Sequence, residues 1–366
     1  MLRRALAVLA VIALIGAAVA LFLHWPRSGG VPVEAVDGAP WSCAEPCDRF
    51  SIAWGGDSFL GWAAAGRIKK RGMGTLLASA KELIAADYAV VNVESPWTTL
   101  GKGEAPDDPG SFYSYNADPA TAKDLAALGV DAVGLANNHT FDRGSQGVLD
   151  SIEHARAAGL SPFGTGPDAG SAGAPLLIPT PHGVVGVVAL AEGKNGAVGS
   201  GRAGYLPLSE EHARAGAERA RVEGAKWVVA FVHWGKNYAA LHNDQKAQAA
   251  MLAGAGFDLV VGHGPHVAQP VGVVDGVPVL YSLGNFVFHT KGRFRKLGAA
   301  SQSYTAVTFL GPDGFEAAEL RCFDADNRTT GYTTPPCDAE QRADLFGRLG
   351  GLVQVRDDVG VVRFPR

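Results

Sequence analysis

This chain lacks a strong net charge, and cysteine is scarce in it. The 366 residues carry 32 Lys and Arg against 36 Asp and Glu, which gives a formal net charge of −4. Without a basic excess, the bulk charge gives no indication of nucleic-acid binding. Only four cysteines are present, and because none lies beside a histidine motif, a thiolate metal site is disfavoured. No internal repeat is present, and 47% hydrophobic residues suffice for one large domain or two small ones.

A long apolar run stands at the N-terminus. Residues 5–23, ALAVLAVIALIGAAVALFL, follow two arginines, and a helix of this length approaches the roughly 30 Å hydrocarbon core of a bilayer. The arginines favour a cytoplasmic start, with the remainder of the chain outside. An uncleaved anchor is the favoured interpretation. A cleaved signal peptide is the alternative, because Ala18-Val19-Ala20 has the form of a cleavage site.

The composition changes after the apolar run. Residues 26–48 are rich in Pro, Gly and small residues without an apolar period, as is typical of a stalk. We therefore predict a single-pass cell-membrane protein with a signal anchor at 1–25, an extracytoplasmic linker at 26–48 and one domain at 49–366.

The four cysteines form two pairs that are local in sequence. Cys43 lies near Cys47, and Cys322 lies near Cys337. A disulfide in each pair would suit an oxidising compartment, and four free or mispaired thiols are the alternative.

From residue 50 onward, short apolar runs alternate with amphipathic stretches. The runs are continuous in apolar residues, as expected for strands that are covered on both faces. Seven strands are predicted at 51–54, 88–94, 131–136, 184–191, 226–234, 258–262 and 277–286. Helices are predicted between them at 75–86, 119–129, 145–159, 209–224 and 244–256. This alternation predicts an α/β domain, followed by a hairpin at 304–311 and 315–323 and a last helix near 338–350.

Polar side chains follow six of the predicted strands. The carboxyl ends of neighbouring strands in an open α/β sheet converge on one crevice, where ligands bind. The residues at these ends are Asp57, Glu94, Asn137, Asn138, His139, His233, His263, His266 and Asn285. Carboxylates, imidazoles and amide oxygens suit a pair of divalent ions with nitrogen and oxygen ligands.

Charge supports hydrolysis at such a site. Asp57 and Glu94 contribute two negative charges, and two divalent ions contribute four positive charges. The remaining positive charge favours the binding of a hydroxide and of an anionic substrate. We expect Asn138 to offer its carbonyl oxygen to a metal, while His139 stays off the metal and faces the substrate.

The same segments resemble a known family. The motifs NVESPWTT, ADPATAKDLAALGVDAVGLANNHTFDRGSQGVLD, VHWG, GHGPHVAQP and YSLGNF occur in order across residues 51–290. They are similar to those of the CapA-type poly-γ-glutamate capsule biosynthesis proteins, whose domain is similar to calcineurin-like metallophosphoesterases.

The resemblance implies a fold, a site and partners. The implied fold is a four-layer αββα metallophosphoesterase-like sandwich preceded by one N-terminal transmembrane helix. The implied cofactors are two divalent ions such as Mn, Zn or Fe. Their ligands would be Asp57, Glu94 as the bridging group, Asn138, His233, His263 and His266. His139 would be the general acid, oriented by Asp142. The implied partners are an anionic cell-surface polymer or its phosphorylated precursor, together with capsule synthase proteins.

Two features depart from the usual motifs. Asn237 stands where the family usually has Glu after the HWG motif. His263 and His266 are separated by two residues, as in CapA-type proteins, rather than by the one residue that is usual in metallophosphoesterases. Asn137, Asn237 and Asn285 are further candidates for substrate contact. The leading hypothesis is a metal-dependent hydrolase. The alternatives are a polymer-binding partner of a synthase that breaks no bond and, more weakly, an α/β binding domain without metal.

Overall fold

Most of the chain beyond the predicted linker is ordered into strands and helices. The structure, a computed structural model, describes residues 49–101, 114–193 and 195–365. The predicted anchor, the linker and the Cys43–Cys47 pair lie outside the described residues. Within the described ranges, no helix is long and apolar enough to cross a membrane.

The strands carry the apolar runs of the sequence. In chain order they are β1 Phe50–Phe59, β2 Tyr88–Val93, β3 Ala132–Gly134, β4 Ser161–Phe163, β5 Thr165–Gly166, β6 Leu176–Thr180, β7 Gly183–Ala191, β8 Gly204–Tyr205, β9 Ala225–His233, β10 Leu259–His263, β11 Ala268–Val274, β12 Val277–Leu283, β13 Asn285–Phe288, β14 Gln302–Gly311, β15 Gly314–Asp324, β16 Gln354–Arg356 and β17 Val359–Arg363.

The helices lie mostly between these strands. They are α1 Ala65–Arg71, α2 Met73–Leu77, α3 Ala80–Leu83, α4 Thr121–Leu128, α5 Gly144–Ala157, α6 Ala169–Ala172, α7 Glu210–Val222, α8 Asn243–Gly254, α9 Phe294–Leu297, α10 Asn327–Thr330 and α11 Ala339–Leu349.

Two large sheets form in the described part of the chain. The nine-stranded sheet has the order β16-β17-β15-β14-β1-β2-β3-β4, with β13 paired to β1. Its strands β1 to β4 are parallel. The six-stranded sheet has the order β11-β12-β10-β9-β7-β6, and its four central strands are parallel. The chain passes from one sheet to the other between β12 and β13, so both sheets contribute to the same edge.

Three apolar clusters account for the layering. One cluster lies between the sheets and contains Trp54 and Val90 of the first sheet with Val229 and Phe231 of the second. A second cluster joins the opposite face of the first sheet to α2, α3 and α4. The third joins the opposite face of the second sheet to α7 and α8. Because both faces of each sheet are buried, the central strands have continuous apolar runs in the sequence.

The seven predicted strands are present, with shifted ends. The predicted strand 277–286 is divided at Gly284 into β12 and β13, because the chain changes sheets there. The predicted helix 75–86 is two short helices, α2 and α3. The C-terminal hairpin is confirmed as β14 and β15, and the last helix as α11. The predicted pairing of Cys322 with Cys337 is confirmed as a disulfide.

Candidate metal centre

Asp57 reaches the site from an irregular part of β1. The pairing of β1 with β2 shifts register between Gly55 and Asp57. A side chain at Gly56 would collide with the carbonyl oxygen of Gly284, so glycine allows β13 to approach β1 closely. The Asp57 N–H then donates to that oxygen at 3.0 Å.

The Asp57 carboxylate is buried and has several partners. Asn92 Nδ2 donates to Oδ1 at 2.9 Å, and the Gly264 N–H donates to Oδ2 at 3.0 Å. His263 Nδ1 and His266 Nδ1 each lie 3.3 Å from one of its oxygens. Burial alone would raise the pKa of Asp57. Hydrogen bonds with these histidines outweigh burial and hold the pKa well below its ordinary value. Asp57 is therefore an anion inside the protein.

Glu94 is equally buried but is not satisfied by the protein. It follows β2, and its N–H donates to the Ser58 carbonyl at 2.9 Å. Neither carboxylate oxygen has a hydrogen-bond partner among the described residues. The nearest imidazole nitrogens, of His266, His233 and His139, lie 3.7, 3.8 and 3.9 Å away. Burial raises the pKa of Glu94 well above its ordinary value, and the negative charges of Asp57 and Asp142 raise it further.

The histidines come from two adjacent strand ends of the second sheet. His233 ends β9, His263 ends β10, and their Nδ1 atoms lie 3.2 Å apart. Burial lowers the pKa of His233 well below its ordinary value, against the opposing effect of Asp57. A neutral imidazole keeps a lone pair available for a metal.

The turn after β10 places a third histidine, His266, beside Asp57. Gly264 has φ of 112°, and a side chain there would press on the backbone of Trp234. His266 has φ of 61°, an uncommon conformation for a residue other than glycine. His266 Nδ1 lies 2.9 Å from Asn285 Oδ1, which holds the ring toward Asp57. Strain of this kind persists where the surroundings determine the conformation, as they do here.

These residues form two overlapping groups that could hold metal ions. Asp57, His233 and His263 form one group, and Asp57, Glu94 and His266 form the other. In each group the donor atoms lie within 4.8 Å of one another, and all five residues are buried. Asp57 is common to both, as a carboxylate shared between two ions would be.

His139 lies beside these groups rather than within them. Its Nδ1 is 2.8 Å from Asp142 Oδ2, and its Nε2 points toward Glu94. The Tyr115 N–H donates to the same Asp142 oxygen at 2.6 Å, and the Tyr115 ring lies 4.2 Å from the His139 ring between centroids. The imidazole is therefore oriented at one nitrogen and directed toward the site with the other.

The four asparagines singled out in the sequence occupy different positions. Asn138 is half-buried, and its Oδ1 has no hydrogen-bond partner among the described residues, so it remains available to a cation. Asn137 Nδ2 donates to Asn92 and Val93, and its Oδ1 accepts from the His139 N–H, so it shapes the loop. Asn285 is engaged with His266. Asn237 is exposed, outside the buried cluster.

Sequence reasoning missed Asn92 and Tyr115. Asn92 lies inside β2, two residues before Glu94, and a polar residue in an otherwise apolar buried strand was the available signal. Tyr115 had no such signal, because its role depends on a contact with a segment 27 residues away.

The fold and the site define an α/β protein with two packed sheets and a buried carboxylate–histidine centre at their carboxyl edges. The sequence pattern of the family described as bacterial capsule synthesis protein PGA_cap matches residues 51–290. The chain belongs to this family.

Curated relatives agree with this assignment. The chain is 29% identical over 246 residues to the PGA biosynthesis protein CapA of Bacillus subtilis, over 66% of this chain and 64% of that protein. It is 31% identical over 225 residues to a probable polyglutamine synthesis accessory protein of Mycobacterium tuberculosis, over 58% of each. The aligned stretch thus spans less than two thirds of either relative. A crystal structure of a hypothetical protein from Thermus thermophilus matches with a TM-score of 0.47 and 16% identity, covering 75% of this chain and 99% of that one.

Proposed function

We propose that this protein is an accessory protein of capsule or cell-surface polymer synthesis whose domain is a dinuclear-metal-dependent hydrolase. Its substrate would be an anionic polymer or a phosphorylated precursor, cleaved at a phosphoester or γ-glutamyl bond. The observation that carries this proposal is the buried carboxylate of Glu94, which lacks a hydrogen-bond partner and faces three imidazoles beside an anionic Asp57.

The donor set fits a pair of metal ions. A buried carboxylate without a partner is costly, and a cation would satisfy it. His263 Nε2 and Asn138 Oδ1 are also buried without a hydrogen-bond partner among the described residues. Mixed imidazole, carboxylate and amide ligands suit borderline ions such as Mn, Zn or Fe. Asp57, Glu94, Asn138, His233, His263 and His266 would hold the two ions, with carboxylates shared between them.

When bound, such ions would polarise a phosphoryl or carbonyl oxygen and lower the pKa of water. The protein's own contribution is proton transfer and orientation. Asp142 fixes the ring of His139 through Nδ1, and Nε2 is left to donate a proton to the leaving group, which is an oxygen in a phosphoester and a nitrogen in a γ-glutamyl bond. Tyr115 keeps both groups in place through its backbone N–H and its ring.

The names of the relatives support a role in polymer synthesis. The Bacillus subtilis relative is named for PGA biosynthesis, and the Mycobacterium tuberculosis relative is named as a polyglutamine synthesis accessory protein. By extension, we assign a capsule synthase as partner, a metallophosphoesterase-type αββα domain and a location at the cell membrane. Residues 5–23 would serve as the anchor of an extracytoplasmic domain.

The test is metal content measured together with hydrolysis. The purified full-length chain, reconstituted with Mn, Zn or Fe and desalted, should retain about two ions per chain. It should hydrolyse at least one member of a panel of phosphoesters and polyglutamate. Glu94→Gln keeps the shape of the side chain but removes its charge, so we expect metal loss and no turnover. Glu218→Gln, at an exposed position of α7, is the matched control and should change neither property.

Other outcomes would point elsewhere. Metal and polymer binding without turnover would replace the hydrolase by the polymer-binding partner of a synthase. A metal content that is near zero in the wild-type chain, or unchanged in Glu94→Gln, would refute the metal centre itself.

A further inference from the structure

Two short basic helices follow the strands that carry Asp57 and Asn285. β1 and β13 run parallel and pair Asp57 with Asn285, and Phe59 with Phe288. Beyond their carboxyl ends the chain continues into α1, with the sequence AGRIKKR, and α9, with the sequence FRKL. Both helices therefore leave from the edge of the sheet at which the candidate metal centre lies.

A third segment joins them at this edge. Asn327 of α10 donates through Nδ2 to the carbonyls of Phe288 and Thr290 at 2.5 and 2.6 Å. The guanidinium of Arg67 lies against Gly331. Burial raises the pKa of Tyr332, and Arg67 and Arg328 both lower it, so both guanidinium groups act on the same phenol. The cations of α1 and α10 thus share one region.

This region presents basic side chains that form no ion pair within the described part of the chain. We call it the basic surface, and it consists of Arg67, Lys69, Lys70, Arg71, Lys296 and Arg328. All six are exposed. None of their side chains makes an ion pair or hydrogen bond with another residue that the structure describes.

Some arginines elsewhere on the surface form ion pairs within their helix. Arg214, Arg219 and Arg348 each pair with a carboxylate one helical turn away. The helix dipole favours cations in the last turn of α1, but it does not account for Arg67 in the first turn. The clustering of six unpaired cations in one region of a chain of net charge −4 is a local feature that favours an anionic partner.

We propose that the basic surface binds the continuing chain of a linear polyanion whose reacting segment lies at the metal centre, an inference that rests on the proposed function. A flexible chain can reach both a centre recessed among buried side chains and the helices outside it. A flat anionic bilayer can reach only the helices. The polyanion therefore fits the arrangement of site and surface better than a membrane does.

The test compares long and short anions. The triple variant Arg67→Gln, Lys70→Gln, Arg71→Gln removes three exposed charges. Lys69 is retained because it lines a cavity together with Asp118 and Asp124. The control, Arg214→Gln, Arg219→Gln, Lys246→Gln, removes three positive charges from α7 and α8, two of which are ion-paired. The probes are long polyglutamate, a glutamate trimer and phosphatidylglycerol vesicles, each titrated against the full-length chain at low and moderate salt.

We expect the triple variant to bind long polyglutamate about tenfold more weakly, because exposed ion pairs contribute little individually but add over three positions. Binding of the trimer should be unchanged, and the control should match the wild type. Arg67→Lys, Arg71→Lys should retain binding, which separates lost charge from misfolding. The difference between triple variant and wild type should shrink with salt.

The proposal would be overturned by equal binding of long polyglutamate in the triple variant and the control. Loss of vesicle binding alone would instead assign the surface to the membrane.

These binding measurements do not require the protein to turn over a substrate. If the wild-type chain holds no metal but the triple variant loses affinity for the polymer, the proposed function is refuted and the role of the basic surface is supported. If the chain is a metal-containing hydrolase and the triple variant binds the polymer unchanged, the proposed function is supported and the role of the basic surface is refuted.

Discussion

The two buried carboxylates of the centre differ because their neighbours differ. Asp57 accepts N–H groups from Asn92 and Gly264 and lies beside two imidazoles, so the protein stabilises its charge. Glu94 has no hydrogen-bond donor among the described residues, so burial dominates its pKa. Residue type alone does not distinguish them. The distinction depends on which loops turn toward each carboxylate.

His139 provides a test that separates proton transfer from metal binding. Its ring is oriented by Asp142 and lies outside both groups of candidate ligands. In His139→Gln we expect turnover to fall about 10²- to 10⁴-fold, the usual contribution of a general acid or base. Metal content should stay at the wild-type value. His154→Gln on α5 is the control, and a metal content that fell together with turnover would show that His139 is a ligand.

His289 predicts a dependence of stability on pH. It is buried, neither ring nitrogen has a hydrogen-bond partner among the described residues, and burial lowers its pKa from 6.5 to about 4. Between those values the unfolded chain binds the proton and the folded chain does not, so stability falls as pH drops through this window. From pH 7 to pH 5 the loss from this residue is about 2 kcal/mol.

The variant His289→Phe should remove that part of the acid sensitivity. Denaturant unfolding at pH 7 and pH 5 would measure it, with the half-buried His154→Phe as the matched control. The free energy of unfolding of His289→Phe should fall less between the two pH values than that of the wild type. Equal losses in all three proteins would disprove the assignment.

Among the strands and helices, those with uninterrupted apolar runs were the easiest to predict. β7, β9 and β10 lie in the interior of a parallel sheet, and both of their faces are covered, so composition alone identifies them. β16 is an exposed edge strand without an apolar pattern, and the sequence did not indicate it. The short strands β5 and β8 pair with each other across a long separation, and no local sequence pattern indicates them.

The disulfide Cys322–Cys337 ties β15 to the segment before α11. It closes a separation of 15 residues, for which loop-closure entropy predicts about 3 kcal/mol of stabilisation. Reducing agent should lower the free energy of unfolding of the wild type by about this amount. The double variant Cys322→Ser, Cys337→Ser should be equally destabilised and should no longer respond to reductant. A full response to reductant in that variant would attribute the effect to Cys43 and Cys47.

For the domain as a whole, the candidate centre joins the two sheets. Asp57, Glu94 and His139 extend from the nine-stranded sheet, whereas His233, His263 and His266 extend from the six-stranded sheet. The chain crosses between the sheets at Gly284, whose carbonyl accepts the Asp57 N–H. Ions held by both sets would therefore link the halves of the sandwich directly.

Metal removal should consequently lower global stability. A ligand at 100 times its dissociation constant stabilises the folded state by about 2.7 kcal/mol per site. Thermal unfolding of the full-length chain should shift to lower temperature after chelation and recover when the ion is returned. Glu94→Gln should show a much smaller shift. An identical curve with and without chelator would count against ions bound between the sheets.

Much of the site could be predicted because its residues lie at or near the carboxyl ends of buried parallel strands. Such ends converge on one crevice, so Asp57, Glu94 and His233 could be placed together without coordinates, although they belong to two sheets. The contacts of Tyr115 and Asn285 could not be predicted. Tyr115 contacts Asp142 from outside any strand, and Asn285 contacts His266 only because β13 crosses to the other sheet.

By itself the sequence determined the alternation of strands and helices, the family, and the identity of the residues at the strand ends, because these follow from local composition and order. Only the tertiary structure decided which carboxylate is satisfied and which is not, that Tyr115 contacts both Asp142 and His139, and that unpaired cations border the centre. The physical reason is that burial, hydrogen bonding and charge pairing depend on contacts between segments far apart in the chain, and those contacts exist only once the two sheets have packed.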